Sequence, residues 1–235
     1  MGRINHLQQT LPANLQDNQD TACVEFVLVD YSSPDKLEKW VKETMMTYIN
    51  TGYLAYYSAS GFKHFHMAHA KNIAHRLAQG EIVCNLDADN FTNRGFSQYL
   101  ISIFSDSNKL IVRSAIGKSV NGRIAMRKID FHAIGGYDER MAYGWGFEDR
   151  DFIKRAHMAG MREHLIPATS PFLTAIEHKN SERVKYAKLQ NQHQSDQCHK
   201  LISMKSTGRG EFVANRGKNW GAAIVQKNFS EWITL

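Results

Sequence analysis

The chain has 235 residues, 43% of them hydrophobic and 11% aromatic, with a formal charge of +6 and a sequence pI near 9.2. That length suits one domain, or one domain with a tail, and the composition supplies a core. No apolar run approaches the roughly 18 residues of a membrane span, MGRINHLQQTLP has no apolar stretch of the secretory-signal kind, and no internal repeat or low-complexity tract is present.

Cys23, Cys84 and Cys198 are odd in number and far apart. They suggest neither a disulfide framework nor a zinc site, and they fit a reducing, cytoplasmic compartment. The positive charge favours anionic partners. A phosphate-bearing substrate, an acidic glycan, the inner face of a membrane and nucleic acid satisfy it equally.

Ile4, Leu7, Leu11 and Leu15 recur at helical spacing, and Pro12 interrupts them, so one or two short helical turns are expected. Val24 to Val29, nearly all apolar, predicts the first strand, ending at Asp30. Ser33 and Pro34 then suit a helix cap and first position, with Leu37, Trp40, Val41, Met45 and Tyr48 on the buried face. A strand is expected over Tyr53 to Ser58 and a helix from about Met67 to Gln79, stopped by Gly80. Lys71 and Asn72 lie one turn into that helix, where they can point toward a phosphate or a base. His64, His66 and His69 read as polar loop residues, because their spacing is not that of helical metal ligands.

Glu81 to Thr92, EIVCNLDADNFT, is the stretch the chain is organised around. Ile82 to Leu86 reads as a buried strand that ends in Asp87-Ala88-Asp89. Open α/β sheets place ligands at such strand ends. Paired hard oxygen donors suit Mg²⁺ or Mn²⁺ shared with a substrate's phosphates. The same residues also make an ordinary turn. Asp30, at another strand end, carries the same two readings.

Phe96 to Phe104 predicts a further amphipathic helix, and Lys109 to Arg113 and Arg123 to Met126 predict strands. Strands alternating with helices argue for a mostly parallel α/β sheet. Phe131 to Arg155 is the second informative stretch: a Gly135-Gly136-Tyr137-Asp138-Glu139 turn, then Gly144 and Gly146 flanking Trp145, then Glu148-Asp149-Arg150-Asp151 opening a helix. Acids in a first helical turn complement the helix dipole. That does not explain a glycine-flexed Trp directly before them, an arrangement that can stack a sugar ring and set a base beneath its hydroxyl. Met161 to Ile166 predicts a strand, and Ser181 to about Met204 a polar helix. The Gly-rich basic tail from Thr207 to Leu235 suits a cover over a diphosphate, a solvated hairpin or a nucleic-acid patch.

In this order, Asp30, Lys71-Asn72, Asp87-Ala88-Asp89, Gly-Gly-Tyr-Asp-Glu and Gly-Trp-Gly-Phe-Glu-Asp resemble the inverting GT-A glycosyltransferases of family 2, and the second half is similar to the galactosyltransferase C-terminal motif. The likeness runs from about Val24 to His178. It implies a Rossmann-like GT-A domain over residues 1–180, with a nucleotide half to about 115, an acceptor half from about 116, and residues 181–235 as a helix and tail packed on it. It implies nucleotide-sugar contacts at Asp30, Lys71, Asn72 and Asp87, and metal ligation of Mn²⁺ or Mg²⁺ by Asp89, Asp87 and His178. It further implies Asp149 as catalytic base, with Trp145 and Glu148 binding the acceptor. The expected partners are a UDP-sugar and a saccharide or glycoconjugate acceptor, not nucleic acid. Members of that family place a strand ahead of the first helix. Here Met1-Gly2-Arg3 leads straight into Ile4, so the resemblance implies a sheet lacking that strand or using another segment in its place. Phe147 stands where the galactosyltransferases carry a further glycine.

The implied activity is metal-dependent, inverting transfer of a hexose or N-acetylhexosamine. A metal-dependent nucleotidyltransferase would need the paired aspartates but not Trp145 and Asp149. A non-catalytic basic module would rest on the charge alone, and its binding would collapse with salt.

Overall fold

The structure is a computed structural model that describes residues 1–105, 107–115, 120–177, 179–230 and 232–235. In chain order it contains α1 (Ile4–Asn18), β1 (Phe26–Tyr31), α2 (Leu37–Thr44), α3 (Met46–Asn50), β2 (Leu54–Ala59) and α4 (Met67–Leu77). Then come β3 (Ile82–Cys84), β4 (Asn90–Phe91), α5 (Phe96–Ser105), β5 (Leu110–Ser114), β6 (Ile124–Arg127), α6 (Lys128–Ala133) and α7 (Glu148–Met158). The remainder is β7 (Arg162–Ile166), β8 (Thr174–Ala175), α8 (Asn180–Val184), α9 (Gln192–Thr207), β9 (Ile224–Lys227) and β10 (Trp232–Thr234). Among the described residues no helix is long and apolar enough to cross a membrane.

The α/β class holds, but the single, mostly parallel sheet does not. Two four-stranded sheets form, ordered β1-β2-β9-β10 and β3-β6-β5-β7, beside a β4-β8 pair. Only β1–β2 and β5–β7 run parallel among the described residues. β6 reverses between β3 and β5, and the tail returns as the β9–β10 hairpin along β2. β1 ends its sheet, and its outer edge meets no strand among the described residues.

Side-chain alternation places the layers. Ile111, Ile124 and Met126 face Phe131 of α6 and Phe152 and Ala156 of α7. Leu110, Val112 and Ala125 take the other face, under Phe96, Leu100 and Phe104 of α5. A separate core joins Leu7, Leu11 and Leu15 of α1 to Leu37, Val41 and Ile49.

Four expected elements differ. The buried strand expected over Ile82 to Leu86 stops at Cys84, half-buried at the edge of its sheet, and Asp87 to Asp89 lie in a turn closed by the Asn90 N–H on the Asp87 carbonyl at 3.0 Å. α1 runs unbroken through Pro12. Burying three leucines, worth roughly 1.5–3 kcal/mol each, exceeds the ~3 kcal/mol an interior proline costs. The helix after Pro34 starts at Leu37, where Asp35 Oδ1 accepts the Leu37 N–H at 3.2 Å, and a break at Met45 divides it into α2 and α3. The long polar helix from Ser181 is two helices, α8 and α9, and the second is capped by the Asn191 side chain.

Candidate functional site

A cavity of about 920 Å³ opens between β1, the end of β3 and the N-terminus of α7. Asp87, Asp89, Trp145, Glu148 and Asp149 all line it, so the two motifs far apart in sequence share one wall-to-wall site.

The aspartate loop is held tightly. Asn85 Nδ2 donates to Asp87 Oδ1 at 3.1 Å and to the Gly122 carbonyl at 2.8 Å. A Cβ on Gly122 would lie 2.5 Å from Asp87 Oδ2, so a side chain at this position would push the carboxylate aside. Asn90 Nδ2 donates to Asp89 Oδ1 at 2.9 Å. From the far side, α1 presents Thr10, Asn14 and Asn18, one helical turn apart and almost fully buried. Thr10 Oγ1 donates to the Ala88 carbonyl at 2.7 Å, Asn14 Nδ2 to the Asn90 carbonyl at 2.9 Å, and Asn14 Oδ1 accepts the Thr92 N–H at 2.7 Å. Asn18 Nδ2 donates to Thr92 Oγ1 at 2.8 Å. The buried Arg123 adds a bond from Nη2 to the Phe91 carbonyl at 2.9 Å.

On the opposite wall, α9 fixes the Trp145 loop. Ser195 Oγ donates to the Trp145 carbonyl at 2.6 Å and accepts its N–H at 3.0 Å, while His199 Nδ1 donates to the Gly146 carbonyl at 2.6 Å. Gly144 admits this approach, since a Cβ would stand 2.6 Å from Ser195 Cβ. Phe147 sits in the left-handed region, φ 70°, as the N-cap of α7. This is the position where the sequence resemblance has a glycine, and the backbone geometry is the one glycine tolerates without strain. Arg155, fully buried, pairs with Asp151 at 2.7 Å and donates to the Ile134 and Gly136 carbonyls at 2.9 and 2.8 Å, tying the Gly-Gly turn beneath α7.

Lys71 reaches this wall from α4. Its Nζ lies 2.6 Å from Asp149 Oδ1 and 3.1 Å from Glu148 Oε1. Burial alone would lower the ammonium's pKa, but Asp149 and Glu148 hold it charged, well above its ordinary value. Burial pushes the Asp149 carboxyl up to about 7; Lys71 opposes this, while Glu148 and Asp87 add to it. A carboxylate that ionises near neutrality suits a general base.

The expected nucleotide contacts fare differently. Lys71 lines the cavity, but its charge is committed to the two acids instead of pointing freely toward a phosphate. Asn72 does not face the cavity: it is fully buried, donating to the Tyr137 carbonyl and Glu139 Oε1, both at 2.9 Å, and accepting the Tyr137 N–H at 2.8 Å. Asp30 is also turned inward. Its carboxylate accepts the Ser33 N–H at 2.9 Å and the Tyr56 hydroxyl at 3.0 Å, and burial raises its pKa. Tyr31, its neighbour, lines the cavity in its stead. His178 lies outside the described residues. The described residues of the basic tail do not line the cavity; Asn215 and Gly221 instead bond to the turn at Gly135–Glu139.

Among the described residues no group of three or more His, Cys, Asp or Glu forms a complete metal cage. Asp87 and Asp89 supply hard oxygen donors at the cavity wall, the number that suffices for Mg²⁺ or Mn²⁺ when a substrate's phosphates complete the shell.

Ser195, His199, Asn14 and Arg155 were not legible as site residues. Ser195 and His199 share one face of α9 at i, i+4, which is the one sequence signal they carry.

Residues 103–179 match the family described as the N-terminal domain of galactosyltransferase. No curated relative matches the chain. Among solved structures, the Pyrobaculum calidifontis mannosyltransferase PcManGT, in complex with GDP-Man and Mn²⁺, is 18% identical with a TM-score of 0.57 over 70% of this chain and 51% of that one. S. aureus TarS 1-349 is 15% identical with a TM-score of 0.60, over 93% of this chain and 73% of that one. The same fragment in complex with UDP matches at 16% identity and a TM-score of 0.57, over 72% of this chain and 56% of that one. The chain thus spans about half the length of the mannosyltransferase. These neighbours are GT-A glycosyltransferases, and the fold of this chain is theirs.

Proposed function

We propose that the protein is a metal-dependent, inverting glycosyltransferase that moves a hexose or N-acetylhexosamine from a UDP-sugar to a saccharide acceptor. The observation that carries this reading is that Asp149, with Trp145 beside it, faces Asp87 and Asp89 across one cavity. The neighbours in complex with GDP-Man and Mn²⁺ and with UDP lend support from the same fold.

Asp87 and Asp89 would hold the divalent ion, which when bound supplies charge stabilisation at the departing diphosphate. Asn85, Gly122 and the α1 side chains keep the two carboxylates in place without reorganisation. Trp145 offers an apolar face to the acceptor ring, and Glu148 borders it. Lys71 holds one oxygen of Asp149, leaving Oδ2 as the proton acceptor. That oxygen takes the proton of the acceptor hydroxyl, whose oxygen forms the new bond to the anomeric carbon on the face opposite the leaving UDP oxygen. The bond to UDP breaks, and the configuration inverts.

Calorimetric titration of UDP with and without Mn²⁺ tests the donor side. Binding that needs Mn²⁺ and vanishes in Asp89→Ala is expected. Mn²⁺-independent UDP binding, or none by the folded protein, overturns the reading.

A further inference from the structure

We propose that the acceptor is an acidic saccharide whose anionic groups lie along the outward face of α7, on Arg150, Lys154 and His157. This deepens the glycosyltransferase reading and rests on it for the word acceptor.

The three side chains are exposed, line the same cavity as Trp145 and Asp149, and begin one residue after the base. Their i, i+4, i+7 spacing puts them in one row. From Arg150 to His157 the row covers about 10 Å of helix axis, more than a single sugar ring. Arg113 of β5 lines the cavity alongside.

Among the described residues the acid that pairs with this row is Glu163, and it is shared: it bonds Arg113 at 2.6 Å and approaches His157 at 3.4 Å. Arg150 has no acidic partner among the described residues, and its guanidinium stands 5.8 Å over the Phe147 ring. Lys154 donates to the neutral Thr207 hydroxyl at 2.6 Å. Asp196, beside Gly146, is the acid at the Trp145 end of the lining. The wall therefore changes sign along its length, with carboxylates where the hydroxyl must lose its proton and uncompensated cations where the rest of the acceptor chain leaves. A lone surface cation is ordinary solvated polarity. Arg150 and Lys154 have no ion-pair partner among the described residues, because the acids beside them on α7 are taken up by Lys71 and Arg155; in a row leading from the base, the two form a track for negative charge. Arg150 supplies the planar fork that carboxylates and phosphates share.

The test is titration calorimetry of the full chain with two pairs of probes. One pair is tetragalacturonate and its carboxyl-reduced form; the other is a monophosphorylated pentamannoside and its dephosphorylated form. The charged member of at least one pair should bind about tenfold more tightly than its neutral parent, the scale of two exposed charge pairs, and the pair that responds identifies carboxylate or phosphate. The Arg150→Gln, Lys154→Gln double variant should lose that gain while keeping Mn²⁺-dependent UDP binding. Equal binding within both pairs, no binding by any probe, or a gain that survives in the double variant overturns the proposal. Capture by phosphatidylglycerol vesicles without preference for a charged saccharide also overturns it, and assigns the face to a membrane. If UDP fails to bind while the acidic preference persists, the transferase reading falls and α7 stands as an acidic-saccharide surface alone.

Discussion

Two regions meet at the cavity, and they use their polar residues in opposite ways. On the β1–α4 side, Asp30 and Asn72 are buried and bonded to Ser33, Tyr56, Tyr137 and Glu139, so their hydrogen-bonding capacity goes into the fold. On the side formed by the β3 loop and α7, Asp87, Asp89, Glu148 and Asp149 face the open space. Lys71 crosses between them, rooted in α4 and bonded to the α7 acids. A polar residue at a strand end or in a helix's first turns can serve either purpose. What separates the two is whether the backbone around it leaves orphan donors to satisfy, as the turn at Tyr137 does for Asn72.

The contrast can be broken by substitution. Asp149→Asn removes the base and should lower transfer by about 10²–10⁴-fold, while calorimetry should find UDP binding with Mn²⁺ unchanged. Lys71→Met leaves two buried acids without their cation and should cost about 3–5 kcal/mol in chemical denaturation. It has a second consequence. Lys71 lowers the Asp149 pKa, which stands at about 7. Its loss raises that value, and because the base works ionised, the acid limb of the transfer–pH profile should move to higher pH. An unchanged limb would mean that Lys71 does not touch the working base. Asn72→Ala should cost about 1–3 kcal/mol, the penalty for orphaned buried groups, with no change in UDP affinity; a weakened affinity at unchanged melting temperature would return Asn72 to the nucleotide site. The smallest effect belongs to Phe147→Gly. Relief of the left-handed backbone, about 1–2 kcal/mol, is offset by the lost ring burial, so the melting temperature should shift by only a few degrees, while the Arg150 guanidinium loses the ring beneath it.

The sequence carried the second region better than the first. Trp145 between glycines and the acid pair that follows have no ordinary reason to occur together, and Asp87-Ala88-Asp89 at the end of an apolar run marked a strand edge. These signals survived folding. Thr10, Asn14 and Asn18 carry no signal in the sequence, because their partners in the Ala88–Thr92 loop lie more than seventy residues away. Nothing local announces such a pairing. The same holds for β9: Ile224–Lys227 looks like basic tail until it is seen against Tyr57–Ala59, with Val225 fully buried. The α/β alternation was legible and the sheet order was not, since order depends on which edges find each other.

β1 makes its ladder on one side only. The Phe26 N–H bonds to Tyr53 and the Ser32 N–H to Ala59, so the even-numbered residues face β2 and the odd-numbered ones face outward. Deuterium exchange should therefore run at two speeds along the half-buried part of the strand, fast at Val27 and Val29 and slow at Leu28. The same open edge is a template on which the strand of another molecule can pair, so self-association that grows with protein concentration should first show as protection appearing at those odd-numbered amides.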